Sequence, residues 1–227
     1  MLLLFYSRIY TTNNFIQSNK LCTFAELKKQ EMILPIVAYG DPVLRKVAVE
    51  INADYPGLET LIENMRETMY NASGVGLAAP QIGKAIRLFL IDASPFADDE
   101  ELSDEDRKAL ESFNKVFINA KILSEDGDEW AFNEGCLSIP DVREDVFRQP
   151  EITIEYQDEN FVKHTETLNG LAARVFQHEY DHIDGILFTD KLSSLKKRLI
   201  KKKLENISKG KIRADYRMRF PNAKKGK

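Results

Sequence analysis

Long hydrophobic runs are missing from this chain of 227 residues, although 43% of it is hydrophobic. Nothing approaches the roughly 20 apolar residues that span a bilayer as a helix, so a helical membrane protein is excluded. The apolar content is still enough to bury one good core. Cysteine is scarce, with Cys22 and Cys136 the whole inventory. So sparse a pair is no disulfide framework and points to a reducing compartment, the cytoplasm being the simplest. Histidine occurs only three times, so any two that fall together carry weight. Acidic residues are absent from the first 20 positions, where Ser, Thr and Asn are common. That bias faintly suggests an organelle transit segment. The plainer expectation is a start of translation at Met32, just ahead of the apolar run 33–37, or a disordered extension over 1–31.

Charge is distributed unevenly behind a net of −4. Residues 191–227 hold 15 Lys/Arg and 2 Asp/Glu, a net of +13, which leaves −17 on the rest. An acidic body with a basic end points to an anionic partner for that end, RNA being the commonest large one, against the plain reading of a solvated lysine-rich helix.

Leu58, Leu61, Ile62, Met65 and Met69 recur at helical spacing, which predicts an amphipathic helix over 57–70, broken by Gly74-Val75-Gly76. Residues 86–91 read as a buried strand. Residues 92–107 are strongly acidic and read as an exposed insertion, with Ser103 placed to cap a short helix and Asp106 at its third position. A strand follows over 116–123, then strands over 151–156 and 161–168 around the turn Asp158-Glu159-Asn160. Asn169 is placed to cap a helix running to about Ile183, which Gly185 ends, and a last helix covers 193–206. Strands beside strands, with helices at the ends, predict an α+β fold.

The chemistry concentrates in Gln177-His178-Glu179-Tyr180-Asp181-His182. Residues four apart on a helix lie one above the other, so His178 and His182 can reach one ion, with Glu179 beside them and free to reach a metal-bound water. A catalytic centre needs a third protein ligand and one open position. The third histidine of the longer HExxHxxGxxH pattern would fall at 188, where Phe188 stands. Glu205 is available downstream but sits among lysines. Cys136 remains, in Glu134-Gly135-Cys136-Leu137-Ser138-Ile139-Pro140 between two strand signals. Taken alone, it reads more readily as a small buried apolar side chain.

Three segments, Gly74-Val75-Gly76-Leu77-Ala78-Ala79-Pro80-Gln81-Ile82-Gly83, residues 134–140 and residues 177–182, together resemble the three signature motifs of peptide deformylases, in order and at matching spacing. The resemblance covers roughly residues 33 to 192. It implies antiparallel and mixed β-sheets packed around the central HExxH helix, flanked by an N-terminal helix and a basic C-terminal helix. The catalytic domain would be 32–192, followed by a basic helix and tail over 193–227. The implied metal ligands are Cys136, His178 and His182, holding one divalent ion, Fe2+ first, with Ni2+, Co2+ or Zn2+ as substitutes. Glu179 would be general base and acid. Gln81 and the backbone N–H of Leu137 would polarise the formyl oxygen, and Gly76 would present its backbone beside the metal.

The implied reaction removes the N-formyl group from the formyl-methionine of nascent proteins and releases formate. Leu171 and Val175, seven and three residues before His178 on its helix, could form the methionine pocket with Val75 and Phe132, although ordinary core packing competes for each. Arg148 matches a position that contacts substrate backbone. Glu134 is expected to brace the Cys136 turn. In some relatives a C-terminal helix docks on the ribosome, which gives the basic end a partner by resemblance. A general HExxH endopeptidase and a catalytically inert RNA-binding protein with a structural metal are the competing readings. The missing third histidine opposes the first, and the three-ligand site with an intact Glu179 opposes the second.

Overall fold

The computed structural model describes residues 32–100 and 102–223, so the expectation for 1–31 lies outside the described residues. In chain order the elements are β1 (Ile36–Val37), α1 (Leu58–Asn71), β2 (Gly76–Ala78), β3 (Leu88–Asp92), α2 (Asp104–Glu111), β4 (Asn114–Asp126), β5 (Trp130–Cys136), β6 (Ile139–Arg148), β7 (Glu151–Gln157), β8 (Lys163–Asn169), α3 (Gly170–Ile183), α4 (Ser194–Ser208) and β9 (Met218–Arg219). Strands β2-β3-β4-β7-β8 form an antiparallel sheet, β5 and β6 a separate hairpin, and β1 and β9 a short parallel pair.

The sheet is the middle layer. Successive side chains of a strand point to opposite faces, so a strand covered on both sides is apolar throughout. Strand β3 is such a strand. Phe89 and Ile91 pack toward α3 with Phe117, Ala173 and Phe176. Leu88 and Leu90 pack toward α1 with Met65, Met69 and Leu77. Phe117 is the hub of the first cluster, with ring centroids 5.0 Å from Phe89, 5.0 Å from Phe176 and 4.6 Å from Tyr156. A third cluster joins the β5-β6 hairpin to α4 through Ile139, Val142, Val146, Phe188, Ile200 and Leu204.

Most elements stand where the sequence pattern puts them, and the differences have local causes. Strand β4 runs longer than 116–123 and bends at Asn119. That residue has φ +53° and exchanges two hydrogen bonds with the backbone of Ile51. Strand β8 starts at Lys163 rather than at 161, because Asp158 accepts from the N–H groups of both Asn160 and Val162 and lengthens the turn. Asn169 fills the N-cap position of α3, but its side chain makes no capping bond. The first helical N–H, of Gly170, donates to the Pro150 carbonyl at 2.9 Å. Ser103 does cap α2, accepting from Asp106 N at 3.1 Å. The acidic stretch is not wholly exposed, since Asp92, Ala93 and Ala97 are buried.

The basic end returns to the body of the fold. Residues 211–220 alternate exposed Lys211, Arg213, Asp215, Arg217 and Arg219 with half-buried Ile212, Ala214, Tyr216, Met218 and Phe220. Their backbone meets β1 through Ile36 N to Arg217 O and Ala38 N to Arg219 O, both 2.9 Å.

Removing a large ring from a close-packed core costs the lost transfer energy and leaves a cavity. Phe117→Ala is therefore expected to destabilise the protein by about 3–5 kcal/mol in urea unfolding. Leu123→Ala, at a 56% exposed position, is expected to shift the midpoint little.

Candidate metal centre

Helix α3 carries the two histidines one turn apart, and the β5-β6 hairpin carries Cys136 at its tip, where Cys136 pairs with Ile139 across an irregularity after Gly135. Packing of the hairpin against α3 brings the three together. One donor atom from each of Cys136, His178 and His182 lies within 4.8 Å of the others, with Cys136 Sγ 3.3 Å from His182 Nε2.

Glu134 sets the orientation of His178. It accepts from His178 Nδ1 at 2.9 Å, and a carboxylate at this pH only accepts, so the proton sits on Nδ1 and the Nε2 lone pair is left for a cation. The same carboxylate accepts from Arg148 Nε (2.7 Å), Arg148 Nη2 (3.0 Å) and Arg174 Nη1 (3.1 Å). Burial opposes its charge, but the bonds from His178 and Arg148 outweigh that and hold Glu134 well below the usual carboxylate range. Without a cation, burial also opposes charge on both histidines. On His178 the bonds to Cys136 and Glu134 prevail and raise its pKa, while on His182 burial and the charge of His178 lower it.

The donor set suits a divalent transition metal. One thiolate and two imidazoles make a soft site with room for a further ligand, and the supporting Glu134 is of the kind that orients such ligands.

Glu179 lies beside these residues, 4% exposed, and burial pushes its carboxyl up to about 7. Its Oε2 has no hydrogen-bond partner, an unused acceptor at the edge of a cleft of about 500 Å³. Gly76 makes room for it. A Cβ on Gly76 would stand 2.8 Å from Cδ and Cγ of Glu179 and closer still to Oε1. Gln81 is 1% exposed, and its Oε1 accepts from Ala78 N at 2.8 Å, which fixes the amide so that Nε2 points to Cys136 Sγ and Ser138 Oγ, each at 3.5 Å.

These three motifs, met on one cleft, agree with comparison to known proteins. A family model described as polypeptide deformylase matches residues 33–198. The chain belongs to the peptide deformylase family. It is 72% identical over 196 residues to the peptide deformylase of Christiangramia forsetii, covering 86% of this chain and 100% of that one. It is 66% identical over the same length to that of Flavobacterium johnsoniae, with the same coverage. Among solved structures, the peptide deformylase of Legionella pneumophila superposes with a TM-score of 0.66 at 38% identity, over 79% of this chain and 97% of that one. The enzyme from Thermus thermophilus gives 0.66 at 40% identity, over 78% and 98%.

The expected substrate residues divide on the deformylase cleft. Val75, Phe132, Val175 and Leu137 line it. Leu171 does not, and packs against the cluster around Phe117 instead. Arg148 is corrected. It is 3% exposed and lies outside the cleft lining, with its guanidinium spent on Glu134 and, at 2.7 Å, on Asp181. Its rigid fork of donors makes arginine suited to joining two buried carboxylates, and the three bonds it makes to Glu134 and Asp181 hold the guanidinium away from the cleft.

Arg174 also lines the cleft, 2% exposed, stacked 4.6 Å from the Trp130 ring and donating to Glu134 and to the carbonyls of Val146 and Trp130. Further lining residues that the sequence analysis does not single out include Phe96, Arg143 and Tyr216. Phe96 comes from the acidic stretch, with its ring 6.4 Å from Phe132. Arg143 comes from β6, and Tyr216 from beyond the stretch that the family model matches. The alternation over 211–220 was a readable strand signal that the basic charge obscured.

Gly76→Ala is expected to push the Glu179 carboxylate aside. Formate release should fall on the order of 10²-fold or more, with metal content by elemental analysis unchanged.

Proposed function

We propose that Cys136, His178 and His182 hold one divalent ion, Fe2+ in the cell, and that Glu179 is the proton-transferring residue in deformylation of formyl-methionyl peptides. The observation that supports this most directly is the meeting of one thiol and two imidazole donors beside a buried, unpartnered carboxyl oxygen. A bound ion of this kind supplies Lewis acidity, lowering the pKa of a water in its open position from 15.7 towards about 7.

Glu179 takes a proton in its ionised form and returns it to the leaving amine, a contribution of typically 10²–10⁴-fold. Its burial favours both halves of that exchange, because a carboxyl held near neutrality gives up a proton about as readily as it accepts one. The Gln81 amide and the Leu137 N–H donate to the oxygen on which charge develops. Such fixed donors need no reorganisation during the reaction. Val75, Phe132 and Val175 form an apolar wall for the methionine side chain, with Phe96 packed on Phe132. A blocked internal peptide carries no formyl group for this arrangement, which distinguishes the reading from a general endopeptidase.

The exposed basic face of α4, with Arg198, Lys202 and Lys203 outward beside exposed Leu195 and Leu199, is the surface offered to ribosomal RNA. No described helix is long and apolar enough to cross a membrane.

Purified protein loaded with Ni2+ should release formate from formyl-Met-Ala peptides and leave blocked internal peptides intact. Glu179→Gln should cost roughly 10²–10⁴-fold while retaining the metal. The ionised carboxylate is the base, so kcat/KM should fall towards acid. The limb should sit at or below the pH of about 7 set by burial, because a bound cation adds positive charge nearby. A flat acid profile would remove Glu179 from this role. For the ribosome, Arg198→Glu with Lys202→Glu should weaken co-sedimentation at low salt and flatten its salt dependence, leaving formate release unchanged.

A further inference from the structure

The segment leading into β9 reaches the catalytic cleft at Tyr216, and the reaction as described gives it no task. Tyr216 donates from its hydroxyl to the Leu137 carbonyl at 2.7 Å, and its ring lines the cleft. The next carbonyl, of Ser138, accepts from Tyr39 N at 2.8 Å. Consecutive carbonyls of the Cys136 turn are thus held by two segments, one on each side of the β1-β9 pair.

That pair is itself well anchored. Besides its backbone bonds, Arg219 Nη2 donates to Asp41 Oδ2 at 3.2 Å, and Asn222 Nδ2 to Ser208 Oγ at 2.6 Å. Burial raises the Tyr216 pKa, so the hydroxyl stays a donor across the working range. The Leu137 side chain packs in the same apolar cluster as Tyr216.

We propose that Tyr216 is a positioning residue for deformylation: through the Leu137 carbonyl it fixes the backbone whose N–H polarises the formyl oxygen. The assignment rests on the reading of Leu137 N–H and Gln81 as the paired oxyanion donors. A donor held within about half an ångström of its productive position is worth far more in the transition state than one that must be gathered in, and a hydrogen bond on the following carbonyl removes the rotation that would misplace it. The device belongs to the part of the chain that follows α4. This end of the protein therefore takes part in catalysis through the fold, whatever partner its charged outer face meets.

The test uses the full chain loaded with Ni2+ and a formyl-Met-Ala-Ser substrate. Tyr216→Phe keeps the ring and removes only the donor. It is expected to lower kcat about three- to tenfold, with KM, metal content and melting temperature unchanged. An unchanged kcat overturns the proposal, as does a loss confined to KM, which would make Tyr216 a substrate contact. A fall in melting temperature or metal content that accounts for the loss would make it structural only and overturns it too. Gln81→Glu, which keeps the acceptor for Ala78 N and removes the other donor, separates this from the reading beneath it. If Gln81→Glu lowers kcat and Tyr216→Phe does not, the positioning role alone falls. If Gln81→Glu costs nothing, the oxyanion reading falls and takes the proposal with it.

Discussion

One buried carboxylate, Glu134, holds the site together. It joins three elements: β5, on which it stands, β6 through Arg148, and α3 through Arg174 and His178. Removing two charges from water is costly, and it is repaid only where geometry and further hydrogen bonds are good. Both conditions hold. Each Glu134 oxygen accepts two bonds, and Arg148 bridges onward to Asp181 on α3. Breaking such a buried pair from one side typically costs about 3–5 kcal/mol, because the partner charge is left uncompensated. The network therefore locks the hairpin to the helix, and the distance from Cys136 to the two histidines follows from that lock.

The rest of the fold supplies rigidity at a chosen place. An antiparallel sheet covered on both faces gives α3 a flat, close-packed bed of aromatic side chains under Phe176. The polar face of α3 is thereby turned toward the hairpin. Burial of that face leaves His182, Glu179 and Asp181 nearly inaccessible and His178 only slightly exposed, and loss of solvent opposes charge on both histidines and on Glu179. Gly76 and Gln81 reach the same point from the sheet's edge. Glycine is required there by the volume of the Glu179 carboxylate rather than by backbone conformation.

The local elements were legible because their signals are local. Helical spacing gave α1 and the face of α3, continuous burial gave β3, and Ser103 announced the start of α2. Asn169 stands at the N-cap position of α3, but its side chain makes no capping bond, while a distant carbonyl, that of Pro150, meets the first helical amide. Arg148 was misread for a related reason. Its residue type fits a peptide contact, but two carboxylates far apart in sequence claim its donors first. Leu171, expected on the cleft wall, packs against the cluster around Phe117 instead. The alternation over 211–220 was present but masked by lysine and arginine, which solvate the outer face of a strand as readily as they solvate a tail.

The sequence alone determined which residues could bind a metal and move a proton, since an i,i+4 pair of histidines, its intervening glutamate and a lone thiol after a glycine are chemical facts of the chain. It did not decide that this thiol would meet the two imidazoles, that Glu134 would be shared by two arginines and a histidine, or that Tyr216 would line the cleft. Each of those depends on contacts between positions tens of residues apart. Such contacts form only when burial of the sheet's two faces has fixed where the hairpin, the helix and the returning strand must lie.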